Sequence, residues 1–150
     1  DIKPVLQTSE KIQKFLEKFP NTEYTLDLKF KLGLVRNQLA AKEIYVARYY
    51  METQKWIPAI NRLKIVVAEF DDTIYIEEAL HRLVEVYYKI GLENEAKKTA
   101  SILGYNYNSS IWYEKSYSIL NKDYKIKKKR NQKKDKDDGL IKRTIKKILS

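Results

Sequence analysis

Residues 56–70 read WIPAINRLKIVVAEF, and this stretch decides which kind of fold the chain adopts. Its large apolar residues recur at intervals of three or four, the spacing that places side chains on one face of a helix: Ile60, Leu63, Val67 and Phe70. Pro58 suits a first helical turn, because the amide hydrogen that proline lacks has no helical partner there. The stretch therefore predicts a helix with one buried face.

The same periodicity predicts four more helices, at about 4–19, 22–51, 74–90 and 93–103. The second is predicted as one long helix because no Gly or Pro interrupts it after Gly33. Gly91 and Gly104 are placed to end the fourth and fifth helices. The side chains expected to face inward are Leu6, Ile12, Phe15, Leu16, Phe19, Leu26, Phe30, Leu34, Val35, Leu39, Ile76, Leu80, Leu83, Val84 and Tyr87.

Two segments of the chain resemble each other. KFPNTEYTLDLKF (18–30) and EFDDTIYIEEALHRL (69–83) share a Phe, a turn, a Thr and then an apolar-periodic helix. Between residues 49 and 96, small and large residues alternate as they do in tetratricopeptide repeats. Short connections make successive helices antiparallel neighbours. The sequence predicts an all-α fold in which helical hairpins stack as a short solenoid over residues 1–120.

The amino-acid composition changes after Gly104, where Tyr, Asn and Ser are frequent. An apolar period then returns, which predicts a terminal helix that caps the solenoid: Ile111, Trp112, Tyr117, Ile119 and Leu120. The alternative is an aromatic platform for nucleobases, which would need interleaved cations. Lys115 is the one cation nearby, so a capping helix is favoured.

The net charge of +10 is concentrated in the last thirty residues. Residues 121–150 hold 13 Lys or Arg and 4 Asp, whereas residues 1–120 hold 17 Lys or Arg and 16 Asp or Glu. The stretch 125–138 is low-complexity and predicts disorder. Residues 140–149 have the pattern of a short basic amphipathic helix for anionic lipid or an acidic partner, although a solvated tail is an equally good interpretation.

The sequence shows no pattern of catalytic chemistry. There is no cysteine and one histidine, His81, which predicts a packed helix residue rather than a metal ligand. The paired acids Asp71-Asp72 and Glu77-Glu78 precede or open a helix, where the macrodipole favours negative charge. No glycine-rich phosphate loop or nucleophile motif occurs. We therefore expect no enzyme, no cofactor and no metal site, which leaves binding.

Arg62 is the candidate binding residue, because it lies beside the apolar face of its helix in line with Ala59, Val66 and Glu69. One hypothesis is that its stem packs there and its guanidinium binds an acidic partner. The other is an internal ion pair, with Glu69 or with an acid on a neighbouring helix. The spacing of the residues permits both.

Several motifs together resemble the BamD family, the outer-membrane lipoproteins of the β-barrel assembly machinery. They are VARYY (46–50), AINR (59–62), EEALHRLVE (77–85), GLENEA (91–96), and LGYNY with a following WY (103–113). KFPNTEYTLDLKFKLGLVRNQLAAKE (18–43) is similar to the preceding repeat of that family. The likeness covers about residues 10–120 and is strongest for the C-terminal half of alphaproteobacterial members.

The resemblance implies a non-enzymatic tetratricopeptide-repeat scaffold on the periplasmic face of the outer membrane of a Gram-negative bacterium. Its implied partners are the POTRA region of BamA, accessory lipoproteins and unfolded outer-membrane proteins, with no nucleic acid. Arg62 matches the family arginine at the BamA contact, and Asn61 and Trp56 are its expected companions.

The chain departs from the family pattern in two ways. The lipidated cysteine of the family's N-terminal anchor and its first two repeats have no counterpart in these residues, and the basic tail has no match in the family. We therefore expect a fragment of a longer lipoprotein. The alternative function is an unrelated tetratricopeptide-repeat adaptor whose polybasic tail binds nucleic acid or anionic membrane.

Overall fold

The computed structural model describes residues 3–121, which form six α-helices and no strand. The helices are α1 (Lys3–Lys18), α2 (Thr25–Glu52), α3 (Trp56–Glu69), α4 (Ile76–Lys89), α5 (Glu93–Asn106) and α6 (Ile111–Leu120). The predicted all-α, tetratricopeptide-like fold is confirmed, as are the long second helix and the helix at residues 56–69.

Short loops of three to six residues separate the helices, so each helix folds back against the one before it. α1 packs on α2, α2 on α3, and α3 on α4. α4 also contacts both α5 and α6, which themselves touch. The result is a stack of helical hairpins closed at one end by α6, as the sequence predicts.

α4 is the central helix of this stack, because α3, α5 and α6 all pack against it. Every residue of α4 predicted to face inward is buried, and so are Ala79 and Val86, which are fully inaccessible. A helix enclosed on several sides has few positions left for polar residues. Two polar side chains of α4, Glu78 and His81, are therefore buried with it.

The two segments that resemble each other in sequence form the same kind of turn. The Thr25 amide donates a hydrogen bond to the Thr22 carbonyl at 3.1 Å, and at the equivalent positions the Ile76 amide donates to the Thr73 carbonyl at 3.3 Å. A threonine hydroxyl also binds the carbonyl of the preceding Phe in each turn, but from different positions: Thr25 to Phe19 at 3.3 Å and Thr73 to Phe70 at 2.7 Å. α2 begins at Thr25 rather than at residue 22, because residues 22–24 belong to this turn.

One side of α2 differs from the prediction. Leu39 is buried, but Leu26, Phe30 and Leu34 are 81%, 66% and 50% exposed, so their predicted inward orientation is wrong. The described neighbours, α1 and α3, pack on other sides of this helix, and no element among residues 3–121 covers the side that carries these three. In α1 and the turn after it, Leu6 and Phe19 are also exposed rather than buried.

The end of α5 also differs from the prediction. Gly104 does not end the helix, which continues to Asn106. A Cβ at residue 104 would lie 2.6 Å from Cε2 of Tyr113, so the glycine allows the Tyr113 ring to lie directly against α5. In α6 itself Ser116 is buried, while Ile111 and Tyr117 of the predicted apolar period are exposed.

The predictions for the basic tail, at 125–138 and 140–149, fall outside the described residues, and so does nearly all of the predicted segment 121–150. Within residues 3–121, no helix combines the length and the apolar character that a membrane crossing needs.

Gly91 ends α4 in the left-handed region, with φ +82°, as the sequence predicts. Replacing Gly91 with Ala should lower the free energy of unfolding by about 1 kcal/mol, because an L side chain is strained at this φ. Gly33 is the matched control, since it lies inside α2 and a Cβ there would touch nothing. Gly33→Ala should raise the free energy of unfolding by about 0.5–1 kcal/mol. Urea unfolding measures both, and equal effects of the two variants would contradict the assigned turn.

Candidate functional site

The three residues predicted to bind a partner lie on α3 but do not form one patch. At about 100° of rotation per residue, Asn61 and Arg62 lie roughly 140° and 120° from Trp56, on opposite sides of it. Asn61 is exposed, Arg62 is half-buried at the border with α2, and Trp56 is half-buried on the side towards α4. A partner that touched all three would have to wrap around the helix.

Arg62 forms an ion pair with an acid on the neighbouring helix. Its Nη1 donates to Glu43 Oε2 of α2 at 3.1 Å. The Glu43 side chain is only 14% exposed, whereas that of Arg62 is 42% exposed. Of the two internal partners considered from the sequence, the structure selects the acid on the neighbouring helix rather than Glu69. Glu43 thus binds one nitrogen of the guanidinium, and 42% of the Arg62 side chain stays exposed.

Trp56 opens α3 and packs at the edge of the main core. The Lys89 ammonium of α4 lies 5.8 Å from the centre of its ring, a cation–π arrangement. The same ring lines an open cleft of about 580 Å³ between α2, the start of α3 and α4. Trp56 therefore faces a different environment from Arg62.

A network around Glu78 joins α2 to α4, and sequence reasoning missed it. Glu78 is buried, and its Oε1 accepts hydrogen bonds from Nε and Nη2 of Arg48 and from Nε of Arg82. Arg82 also donates from Nη1 to Glu85 at 2.8 Å. Two arginines thus share one buried carboxylate, which offsets the cost of removing that charge from water.

The helix dipole alone is therefore an incomplete explanation of the pair Glu77-Glu78. Both acids lie in the first turn of α4, but only Glu78 is buried and bound by arginines from two helices. The spacing of Glu78, Arg82 and Glu85 is a local signal for pairing within one helix. Arg48 lies thirty residues earlier in the chain, and no local pattern connects it to Glu78.

A second clamp holds α2 against the turn between α3 and α4. Arg36 Nε lies 2.9 Å from both carboxylate oxygens of Asp72, and its Nη2 donates to the Glu69 carbonyl at 2.7 Å. Its guanidinium also lies 5.5 Å from the centre of the Phe70 ring. Asp72 thus has a specific partner besides the helix dipole. Since Arg36 and Arg48 meet successive parts of the α4 region, the second half of α2 runs parallel to α4.

His81 is the packed helix histidine that the sequence predicts, with 3% of its surface exposed. Its Nδ1 lies 2.8 Å from Ser116 Oγ of α6, and Nε2 lies 3.6 Å from Glu85 Oε2. Burial lowers the pKa of the imidazole below its usual value, although Glu85 opposes the shift. The contact between His81 and Ser116 joins α4 to α6 in the interior, where Ser116 is fully buried.

The fold and the surface chemistry together define a class of protein. Within the described part of the chain, no cluster of His, Asp and Glu is arranged to hold a metal ion. The ion pairs Arg48–Glu78 and Arg36–Asp72 lie where neighbouring helices or turns meet, and they fix how the helices of the tetratricopeptide-like stack pack on one another. Stacks of this class present edges and grooves to other proteins.

Comparison with known proteins then places the chain. Residues 1–103 match the model of the YfiO family, described as outer membrane lipoprotein. The chain belongs to this family, as its motifs predict. It is 41% identical over 113 residues to the outer membrane protein assembly factor BamD of Rickettsia prowazekii (strain Madrid E), covering 75% of this chain. It is 40% identical over 110 residues to the protein of the same name from Caulobacter vibrioides, covering 73% of this chain.

More distant relatives carry the same name. BamD of Neisseria meningitidis serogroup A is 32% identical over 97 residues, which cover 65% of this chain. The chain spans less than half the length of these relatives: 45% of the Rickettsia protein and 36% of the Caulobacter and Neisseria proteins.

The Glu78 network gives a stability prediction with a control in the adjacent residue. Glu78→Gln keeps the shape of the side chain but removes the charge that two arginines share. It should lower the free energy of unfolding by about 1–3 kcal/mol more than Glu77→Gln, because hydrogen bonds to a charged group contribute about that much. Both residues lie in the first turn of α4, so the helix dipole acts on both.

Urea unfolding of the two variants at pH 7 measures the difference. If Glu77→Gln and Glu78→Gln lower the free energy of unfolding equally, the network is contradicted, and the helix dipole is sufficient to explain both acids.

Proposed function

We propose that this chain is a non-enzymatic scaffold in the assembly of outer-membrane proteins, and that α3 docks the POTRA region of BamA. Family membership supports the first part, because the curated relatives are named outer membrane protein assembly factors. Association with the outer membrane, at its periplasmic face, belongs to the same proposal, since the matching family is one of outer membrane lipoproteins. Accessory lipoproteins and unfolded outer-membrane proteins are further proposed partners that rest on the family resemblance.

The docking proposal rests on the exposure of Arg62 and on its single contact with Glu43. An arginine has five N–H donors in a planar fork, and one Nη1 contact to Glu43 leaves most of them for another acceptor. Glu43 is largely buried and holds the guanidinium in place, whereas Arg62 remains 42% exposed. A preorganised, half-exposed guanidinium suits a carboxylate on a docking protein, because little side-chain entropy is lost on binding.

The internal ion pair and the docking contact are compatible in this arrangement. Glu43 approaches Arg62 from within the stack, and a partner acid would approach from solvent. Asn61 lies next to Arg62 on the exposed side of α3 and offers an amide for a neighbouring hydrogen bond. Trp56 is the least direct contributor, since its ring already packs on the core and under Lys89.

Two variants that break the same ion pair test the role of Arg62. Arg62→Gln should weaken binding to the isolated POTRA domains of the cognate BamA by roughly thirtyfold, about 2 kcal/mol, because a partner carboxylate loses its cation. Glu43→Gln should leave most of the binding, because Arg62 keeps its charge. Both should lower the free energy of unfolding by a similar amount, up to about 1 kcal/mol.

Isothermal titration calorimetry gives the affinities, and urea unfolding gives the stabilities. Lys64→Gln is the control, because it removes one exposed cation from the opposite side of the same helix. If Arg62→Gln and Glu43→Gln weaken binding equally, Arg62 is an internal strut and the docking proposal fails. Unchanged binding by Arg62→Gln would overturn it as well.

A further inference from the structure

The last described helix, α6, meets the rest of the stack at a buried histidine. His81 of α4 is 3% exposed, and its Nδ1 lies 2.8 Å from Oγ of Ser116, which is fully buried in α6. Trp112 lies one turn earlier in α6, and the centre of its ring is 5.2 Å from that of the imidazole. These two contacts place the His81 ring at the interface between α4 and α6.

The surface that α6 covers beside His81 is apolar. Trp112 and Tyr113 of α6 pack against a small cluster of buried apolar residues: Ile76, Leu80 and Leu103. Leu80 directly precedes His81, so the same part of α6 covers both the cluster and the histidine. α3 and α5 also pack on α4, so the loss of α6 leaves α4 with two neighbours. The arrangement therefore allows α6 to leave the stack while the other helices stay folded.

The surroundings of His81 favour its neutral form. Burial has the largest effect and lowers the pKa of His81 below its usual value. Two carboxylates oppose this shift and two cations add to it: Glu85, Glu78, Arg82 and Lys115. Among residues 3–121, the other helices packed on α4 add no charged group to this set.

The nearest carboxylate is already engaged by another cation. Glu85 Oε2 lies 3.6 Å from Nε2 of His81, but it accepts a hydrogen bond from Nη1 of Arg82 at 2.8 Å. On the α6 side, the Lys115 ammonium lies 4.3 Å from the centre of the Trp112 ring, which itself lies against the imidazole. A proton on His81 therefore adds a buried positive charge close to two existing cations.

We propose that α6 is an acid-sensitive cap, which is docked while His81 is neutral and is released when His81 takes up a proton. Release lets water hydrate the imidazolium, and it removes Lys115 and the Trp112 ring from its surroundings. The released state therefore binds the proton more tightly than the docked state does. Acidification uncovers the apolar surface around Leu80 and Leu103.

The direction of the pH dependence follows from linkage. The docked His81 has the lower pKa, so docking is strongest above about pH 6.5, the pKa of a free imidazole, and weakens as the pH falls below it. The loss levels off below the pKa of the docked ring. Because one proton is taken up, the ratio of docked to released molecules falls by at most about tenfold for each pH unit.

Amide hydrogen exchange followed by NMR tests the proposal, because the protection factors of α6 amides report the ratio of docked to released molecules. These factors should be smaller than those of α3, since α6 opens while α3 stays folded. In the natural chain they should fall between about pH 7.5 and about pH 5.5, by at most about tenfold per pH unit. The imidazole signal of His81, the one histidine of the chain, should titrate with a midpoint below about 6.5.

Two variants of the same contact separate the proton from the hydrogen bond. His81→Gln removes the group that takes up the proton, so the protection of α6 should be the same at both pH values. Ser116→Ala is the matched control, because it removes the hydrogen bond between the helices and keeps the imidazole. It should lower the protection of α6 by roughly tenfold at both pH values and still show a fall on acidification.

Three results would each overturn the proposal: protection of α6 that does not change with pH in the natural chain, an equal fall in His81→Gln, or equal protection of α6 and α3. A midpoint of the His81 signal at or above about 6.5 would overturn it as well, and that measurement needs no variant to fold. Because Arg62 takes no part in these measurements, their failure leaves the docking of a POTRA domain to its own test.

Discussion

The carboxylate of Glu78 is the interaction on which the geometry of the stack depends. It lies in the first turn of the central helix, away from solvent, and arginines from α2 and α4 both bind it. Apolar packing alone lets neighbouring hairpins slide, because apolar contacts are not directional. A buried charge has a much narrower set of acceptable positions, since losing either partner exposes it to an apolar interior. Glu78 therefore fixes where the second half of α2 lies along α4.

Two features of the surface follow from that register. The Arg36–Asp72 clamp and the Arg48–Glu78 pair set α2 and α4 parallel, and the cleft beside Trp56 lies between them. On the other side of α3, the same position of α2 brings Glu43 against Arg62. The two ion pairs between α2 and the α4 region thus position α2, which in turn forms one wall of the cleft and places Glu43 beside Arg62.

Periodicity and short loops were sufficient to predict the helices and the order in which they pack, but not which sides of a helix are covered or which distant charges pair. The inward face of α4 was predictable, because its apolar residues repeat every three or four positions and other helices enclose it. Gly91 was predictable from its position after the last apolar turn. Leu26, Phe30 and Leu34 follow the same rule and are exposed, since periodicity tells that a side is apolar but not whether an element covers it. The pairing of Arg48 with Glu78 joins residues thirty positions apart, which no local pattern encodes.

The exposed side of α3 beside Arg62 is the surface proposed to dock a POTRA domain. Site-specific photo-crosslinking tests this docking, with a photoreactive phenylalanine analogue in place of Asn61 and, separately, in place of Tyr105. Tyr105 is 90% exposed on α5 and has no part in the proposed contact. We expect a crosslink to the POTRA region of BamA from position 61 and none from position 105. A crosslink from position 105 alone, or none from position 61 while the two proteins still bind, would contradict it.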